Sequence, residues 1–455
     1  MGCLSCTKFY YLKTILVFGA GKSATVLIDY LKGVCTTHQW QLIVADANFF
    51  AAQNKINHHP SAKAVEADVS NEEERRMLIT DASIVISVLP PHLHILVAKD
   101  CVAIGRSLLT ASYVDAGIKT LEAEIKSKEL LFLCEMGLDP GIDHMSAMQL
   151  IDAIKAKGGS ITSFKSHCGG LVAPESDDNP WHYKISWNPR NIVMAGSAGA
   201  AYKLNNEIIQ KPYNNIFEDC EELQIAALPT LAWYPNRDSL SYIPLYHLHE
   251  AETFIRTTLR YADFCKGWDV MVDLELTDEK DQDLVAQCKT YADWMEQKLF
   301  KAEQRDISFR MYLELYVDEI YHEKIIQQFD FLELNSIDLL PHHVKCSADI
   351  VQYRLEHKLK LYPADKDMIV MLHEIDYTLN EQQHTVKSSL IVTGEDNMHT
   401  AMAKTVGLPL GIAAKLILEE KIKLKGLHIP TQKEIYEPVL KELKDHDVSF
   451  LELHH

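Results

Sequence analysis

Gly19 and Gly21, with Ala24 three residues further on, sit between a five-residue apolar run and a helical pattern, and nothing else in the chain restricts its fold as much. Thr14-Ile-Leu-Val-Phe18 reads as a buried strand, and apolar residues at 24, 27, 28 and 31 have the spacing of one helix face. A strand that enters a helix through G-x-G-x-x-A has a tight turn at the first glycine and open backbone at the second. The small third residue lets helix and strand pack closely. The amides at the helix start favour an anion, and the pyrophosphate of a dinucleotide suits this geometry, with Gly19, Ala20, Gly21, Lys22 and Ser23 around it. Gly21-Lys-Ser23 also suggests a phosphate-binding P-loop, but that motif needs glycine at position 16, where Leu16 stands.

Asp46 closes the next predicted strand, after Gln41-Leu-Ile-Val-Ala45. A carboxylate there accepts hydrogen bonds from ribose hydroxyls and repels the extra phosphate of NADP, so NAD is the expected cofactor. Further apolar runs at 62–65, 83–89, 107–110 and 130–133 alternate with helical spacing at 97–104 and 118–128. The pattern predicts an α/β fold, a Rossmann-type doubly wound parallel sheet over 1–138. Asp68 and Val69 would lie near the adenine, and Leu89 at the sheet's carboxyl edge, where ligands of such sheets bind. Beyond Gly137-Leu-Asp-Pro-Gly141 the texture changes: longer strands at 163–167, 269–275 and 368–373, and helices at 280–305 and 321–340. This predicts a second α+β region over 139–395, followed by a helical tail over 396–455.

The length of 455 residues fits two or three domains at about 150 residues each. With 45 Lys plus Arg against 64 Asp plus Glu the net charge is −19, which argues against nucleic-acid and polybasic membrane partners. A local basic pocket for a small acidic substrate stays open. No run approaches the roughly 18 apolar residues of a membrane span, so a soluble protein is expected. The ten cysteines are scattered, several within apolar runs such as the one around Cys134, which fits reduced thiols and a cytoplasmic location. Cys3-x-x-Cys6 has no second pair or histidine at zinc spacing, and no metal is expected. Cys6 stands where myristoylation needs Ser or Thr, and no apolar signal core follows.

Several segments together resemble the L-glutamate-forming saccharopine dehydrogenases (saccharopine reductases). They are Leu109-Thr-Ala-Ser-Tyr113, Gly137-Leu-Asp-Pro-Gly-Ile-Asp-His144, His167-Cys-Gly-Gly-Leu171, Ala173-Pro-Glu175, Asp178-Asn-Pro180 and Tyr183-Lys-Ile-Ser-Trp187. Tyr234-Pro-Asn-Arg-Asp-Ser239, Thr258-Leu-Arg-Tyr261, Lys366-Asp-Met-Ile-Val-Met371 and Ala401–Pro409 extend the likeness, which runs from about 14 to 445 and is weakest over 275–345. Asp46 is similar to the acidic residue of the NAD-using animal branch, where the fungal NADP-using branch has arginine.

The resemblance implies oxidation of saccharopine by NAD and water to glutamate, 2-aminoadipate 6-semialdehyde and NADH, in lysine metabolism. It also implies a homodimer whose middle region binds substrate and carries the dimer contact, with the C-terminal helices returning to the cofactor domain. Saccharopine is a secondary amine with three carboxylates, and guanidinium forks hold carboxylates best. By the resemblance, Arg237, Thr258, Leu259 and Arg260 bind substrate, together with Ser112, Tyr113 and Asp139. Ala111, Ser112, Leu138, Asp139, Pro140 and Asn188 contact the cofactor. Asp139 is placed by the substrate amine, and Cys168 beside it moves protons or tunes it. Arg256 reads as one helical turn from Arg260 and as a structural partner. Asp143, His144 and His167 read as framework residues. The competing readings are a carboxynorspermidine or homospermidine synthase-like reductase, and a non-catalytic dinucleotide-sensing regulator.

Overall fold

The structure is a computed structural model that describes residues 12–225 and 228–454, so the Cys3/Cys6 pair lies outside the described residues. The chain divides into two compact units, one running to Gln149 and taking in Ala403–Asp447, the other comprising Leu150–Met402 and Val448–His455.

The first unit is built on a seven-stranded, wholly parallel sheet. Its strands are β1 (Thr14–Phe18), β2 (Gln41–Asp46), β3 (Ala62–Glu66), β4 (Ile84–Ser87), β5 (Ser107–Thr110), β6 (Leu131–Leu133) and Gly426–His428. The order is 3-2-1-4-5-6 with Gly426–His428 outside β6, the doubly wound arrangement expected. β1 and β4 are buried along their whole length, which explains why both read as unbroken apolar runs rather than as alternating ones. The direction of the sheet reverses between β1 and β4, so the loops after these two strands open the crevice where such sheets bind ligands.

The tail contributes more than helices to this unit. Strand Gly426–His428 extends the sheet beyond β6, and helix Ala401–Leu418 lies against helix Thr25–His38, with Gly407 so close to Leu27 that a β-carbon would meet its amide nitrogen at 2.8 Å. Ala401–Leu418 is long and apolar enough to cross a membrane by length and composition, but 78% of it is buried within the fold.

The second unit is a mixed ten-stranded sheet with helices. Its centre is β7 (Ser160–Val172), paired in parallel with Thr253–Tyr261 and antiparallel with Asp367–Leu379. The Gly137–Gly141 loop and the start of helix Ile142–Ala156 belong with the first unit. The tail is also divided: Leu451–His454 pairs with Gln382–Thr393 in the second sheet.

Three local expectations fail for identifiable reasons. The run 269–275, read as a strand, begins with the last five residues of helix Ala262–Asp273, whose buried residues Phe264, Cys265, Trp268, Met271 and Val272 show the helical period only when the preceding turns are included. The helix expected over 280–305 starts with one turn, Gln282–Val285, and resumes at Tyr291–Glu303, where Thr290 and Asp293 form a capping box. The one over 321–340 starts and ends earlier, at Glu319–Phe331, because the segment around Ser336–Leu340 leaves the helix and Leu339 bridges to Thr290.

Candidate active site

Gly19 follows β1 with φ +104°, and a β-carbon on it would lie 3.0 Å from the Val88 carbonyl oxygen, so the turn requires glycine. Above Gly21 there is nothing within 4 Å of a β-carbon position, which leaves the backbone open to a phosphate. Lys22 and Ser23 form the short 3₁₀ turn Lys22–Ala24 that leads into helix Thr25–His38. Asp46 at the end of β2 leans back over this loop: one carboxylate oxygen accepts the Ala20 amide at 2.7 Å and the other the Asn48 amide at 2.8 Å. This cradle of glycine turn, helix start and strand-end carboxylate fits a dinucleotide. Asp68 is exposed after β3, its carboxyl held below its usual range by hydrogen bonds from the Ser70 hydroxyl and amide, while Val69 is buried beside it. Leu89 is half-buried just past β4.

At the carboxyl ends of β4, β5 and β6 the first unit gathers polar groups. Ala111, Ser112 and Tyr113 follow β5 and are half-buried. The Tyr113 hydroxyl donates to Asp139 Oδ1 at 3.2 Å, so these two expected substrate contacts adjoin. Gly141 closes the Leu138-Asp139-Pro140 loop at φ +148°, where a β-carbon would fall 2.1 Å from the Gly137 carbonyl oxygen. Leu138 and Pro140 are buried, which leaves the Asp139 side chain as the half-exposed group of the loop.

Beneath this loop lies a buried network that sequence reasoning reached only in part. Glu135 Oε1 accepts the Val114 amide at 3.1 Å, and its Oε2 is 2.8 Å from His144 Nε2. Asp143 Oδ1 accepts the Gly141 amide at 2.6 Å, and its Oδ2 lies 3.6 Å from His144 Nδ1. His144 therefore ties the segment after β5 to the Asp139 loop through two carboxylates, the framework role expected of Asp143 and His144. Glu135 was missed, although a carboxylate ending the apolar run Leu130–Cys134 is a signal for such a role. His94 was missed as well: it opens helix His94–Ile104 and joins Ser87 to Ser112.

In the second unit, strand alternation sorts the remaining residues. Cys168 on β7 pairs in register with Thr258, and Thr258 shares a face of its strand with Arg256 and Arg260. Arg256 is thus two strand repeats from Arg260, not one helical turn. It is buried over the Tyr242 ring, at 4.5 Å. Arg260 is only 4% exposed, its guanidinium carbon 5.3 Å, 5.6 Å and 6.0 Å from the rings of Tyr183, Phe264 and Tyr234. Its Nη1 donates to the Leu259 carbonyl at 2.7 Å, while its buried Nε has no hydrogen-bond partner among the described residues. Burial in the same cage pushes the Tyr234 phenol up to about 12.

The Leu259 side chain, being one residue out of phase, packs with Leu171 and Val370 in an apolar cluster, leaving backbone as its polar contribution. His167 likewise turns away from Cys168: its Nδ1 is 2.7 Å from Thr257 Oγ1 and its Nε2 is 3.4 Å from Glu374, whose carboxyl is held low, at about 2, chiefly by this histidine. Arg237 is exposed, at φ +51°, on the two-residue strand Arg237–Asp238 beside Ala200. Asn188 caps the short helix Pro189–Val193 by accepting the Arg190 amide at 3.0 Å. No group of three or more metal-ligating side chains occurs among the described residues.

The family described as Saccharopine dehydrogenase NADP binding domain matches residues 15–133, and the one described as Saccharopine dehydrogenase C-terminal domain matches residues 137–448. An Arabidopsis thaliana alpha-aminoadipic semialdehyde synthase is 33% identical over 96% of the chain, and the mitochondrial protein of that name from Bos taurus is 32% identical over 96%. The chain spans about half the length of these relatives, 44% and 47% respectively. It spans 97% of the Saccharomyces cerevisiae saccharopine dehydrogenase [NADP(+), L-glutamate-forming], at 31% identity over 95% of this chain. The solved apo structure of the L-Glu forming saccharopine dehydrogenase from that yeast superposes with a TM-score of 0.86 over 97% of this chain and 100% of its own, at 30% identity. A homospermidine synthase from Legionella pneumophila, at 10% identity and a TM-score of 0.53 over 97% of this chain and 91% of its own, shares the fold.

Proposed function

The chain belongs to the saccharopine dehydrogenase family, and from that premise we propose that it cleaves saccharopine oxidatively to glutamate and 2-aminoadipate 6-semialdehyde, with NAD as the oxidant. The carrying observation is the buried Arg260, whose Nε has no hydrogen-bond partner among the described residues, in a chain whose first unit by itself holds a dinucleotide cradle. Such a cation suits an anionic group that reaches it from outside the protein.

Bound nicotinamide supplies the hydride acceptor. Because the product aldehyde carbon is the one oxidised, hydride leaves the methylene beside the secondary amine on the aminoadipate side. The C=N bond formed there takes up water and breaks, and the nitrogen departs with glutamate. Arg260 and the exposed Arg237 hold carboxylates, assisted by Thr258. Asp139, steadied by Tyr113, accepts a hydrogen bond from the ammonium, and Cys168 is assigned a proton-relaying or tuning role by the family resemblance. Asn188, Asp68 and Leu89 are proposed cofactor contacts. Assembly as a homodimer, a cytoplasmic location and division of labour between a cofactor domain and a substrate domain belong to the same proposal.

Preference for NAD rests on Asp46. One of its oxygens accepts the Ala20 amide of the glycine loop and the other the Asn48 amide, and its charge opposes a 2′-phosphate. The yeast relative carries NADP(+) in its name, so this is where the present chain is proposed to differ. The test mixes purified protein with saccharopine and either nucleotide and follows absorbance of the reduced cofactor. NAD is expected to support turnover at least tenfold better than NADP. Turnover with NADP alone refutes the role of Asp46, and inertness with both refutes the activity.

A further inference from the structure

Three hydroxyls at or just past strand ends converge on one imidazole. His94 Nδ1 is 2.8 Å from the hydroxyl of Ser87, the last residue of β4. Its Nε2 is 2.8 Å from the Ser112 hydroxyl and 3.4 Å from that of Thr110, the last residue of β5. The Ser112 amide in turn donates to Thr110 Oγ1 at 3.2 Å. His94, Ser87 and Thr110 are all buried, whereas Ser112 is half-exposed, so the chain of hydroxyls and imidazole ends at a single group that a ligand reaches. Burial lowers the pKa of His94 to about 4, which keeps the ring neutral at neutral pH, one nitrogen donating and the other accepting.

We propose that His94 is a positioning residue: it fixes the rotamer and hydrogen-bond polarity of Ser112 so that this hydroxyl meets one polar group at the reacting end of the bound ligands. The inference rests on the dinucleotide and saccharopine reading above. Two groups share the required chemistry, the carboxamide of the nicotinamide and the amine of saccharopine. A hydroxyl whose other hydrogen bond is already made to a fixed ring loses little rotational freedom on binding either of them. A role confined to tying β4 to β5 would act on folding alone.

A double-mutant cycle separates these possibilities. Ser112→Ala, His94→Phe and the double variant are compared in the full chain for NADH affinity, read by fluorescence without saccharopine, and for kcat/KM with saccharopine. Each single variant is expected to lose about tenfold in one of the two readouts, and the double variant no more than Ser112→Ala alone. Coupling in NADH affinity assigns the carboxamide; coupling confined to saccharopine kinetics assigns the amine; either supports the proposal. Losses that multiply in both readouts, or a melting temperature that falls in His94→Phe without coupling, overturn it. His94→Gln, which keeps a polar end on the side chain, is expected to recover part of the loss and serves in the cycle if the phenylalanine variant does not fold. A wild-type protein inert toward saccharopine removes the activity reading and leaves NADH affinity to decide. Multiplying losses there, or no NADH binding, then overturn this proposal too.

Discussion

Arg260 carries its charge inside a cage of three aromatic rings, with one hydrogen bond to its neighbour's carbonyl and a buried Nε that has no partner among the described residues. A buried cation left incompletely satisfied costs stability, so removing it is cheap for the fold and expensive for binding. Arg260→Met is expected to raise the saccharopine KM by about 10–100-fold, the scale of a charged hydrogen bond, while the melting temperature holds or rises. Arg237→Ala, at an exposed position, is expected to weaken saccharopine similarly while leaving NADH affinity and stability unchanged. Equal losses of NADH affinity in either variant would mark that arginine as structural. Gly19→Ala tests the cradle: with φ +104° and the Val88 carbonyl 3.0 Å away, it is expected to abolish measurable nucleotide binding and lower stability by about 1–2 kcal/mol.

At the scale of elements, the periodicity of the sequence was enough to place β1 to β6 and the glycine turn, because buried parallel strands and the turn each have a short-range signature. What the sequence could not convey is which face a strand residue takes once its neighbours are known. Cys168 and His167 are adjacent in sequence but turn to opposite faces, and Leu259 leaves the side of the sheet that Thr258 and Arg260 share. His94 and Glu135 were overlooked for a related reason, since each acts through a partner in another element rather than within its own motif. A cross-element contact also gives a pH prediction. His182, between Asp177 at 2.7 Å and Asp263 at 3.7 Å, has its pKa raised to about 9, mainly by the hydrogen bond to Asp177 and then by Asp263. Its contribution to stability is complete below about pH 6.5 and is lost as pH rises through 9. The melting temperature of the wild type is therefore expected to fall between pH 6.5 and 9.5 by more than that of His182→Asn. Parallel curves would deny the histidine this role.

Across the whole molecule, the first unit is assembled from both ends of the chain. The outer edge of β6 is covered by Gly426–His428, and Gly407 and Gly411 let the tail helix close on Leu27 and Tyr30. Residues 12–149 expressed alone are expected to lack cooperative thermal unfolding, and fusion to 403–447 to restore it. Cooperative melting of the short fragment would show that the tail is dispensable. The residues alone anticipated a globular acidic protein with a helical tail, and only the family resemblance implied this return of the chain, because pairing between residues some three hundred positions apart leaves no local trace. The account as a whole stands on one coupled event, oxidation of the carbon beside the saccharopine nitrogen followed by release of glutamate. In a timed reaction with saccharopine and NAD, glutamate and reduced nucleotide are expected to appear one for one. Glutamate without reduced nucleotide, reduced nucleotide without glutamate, or neither product would contradict it.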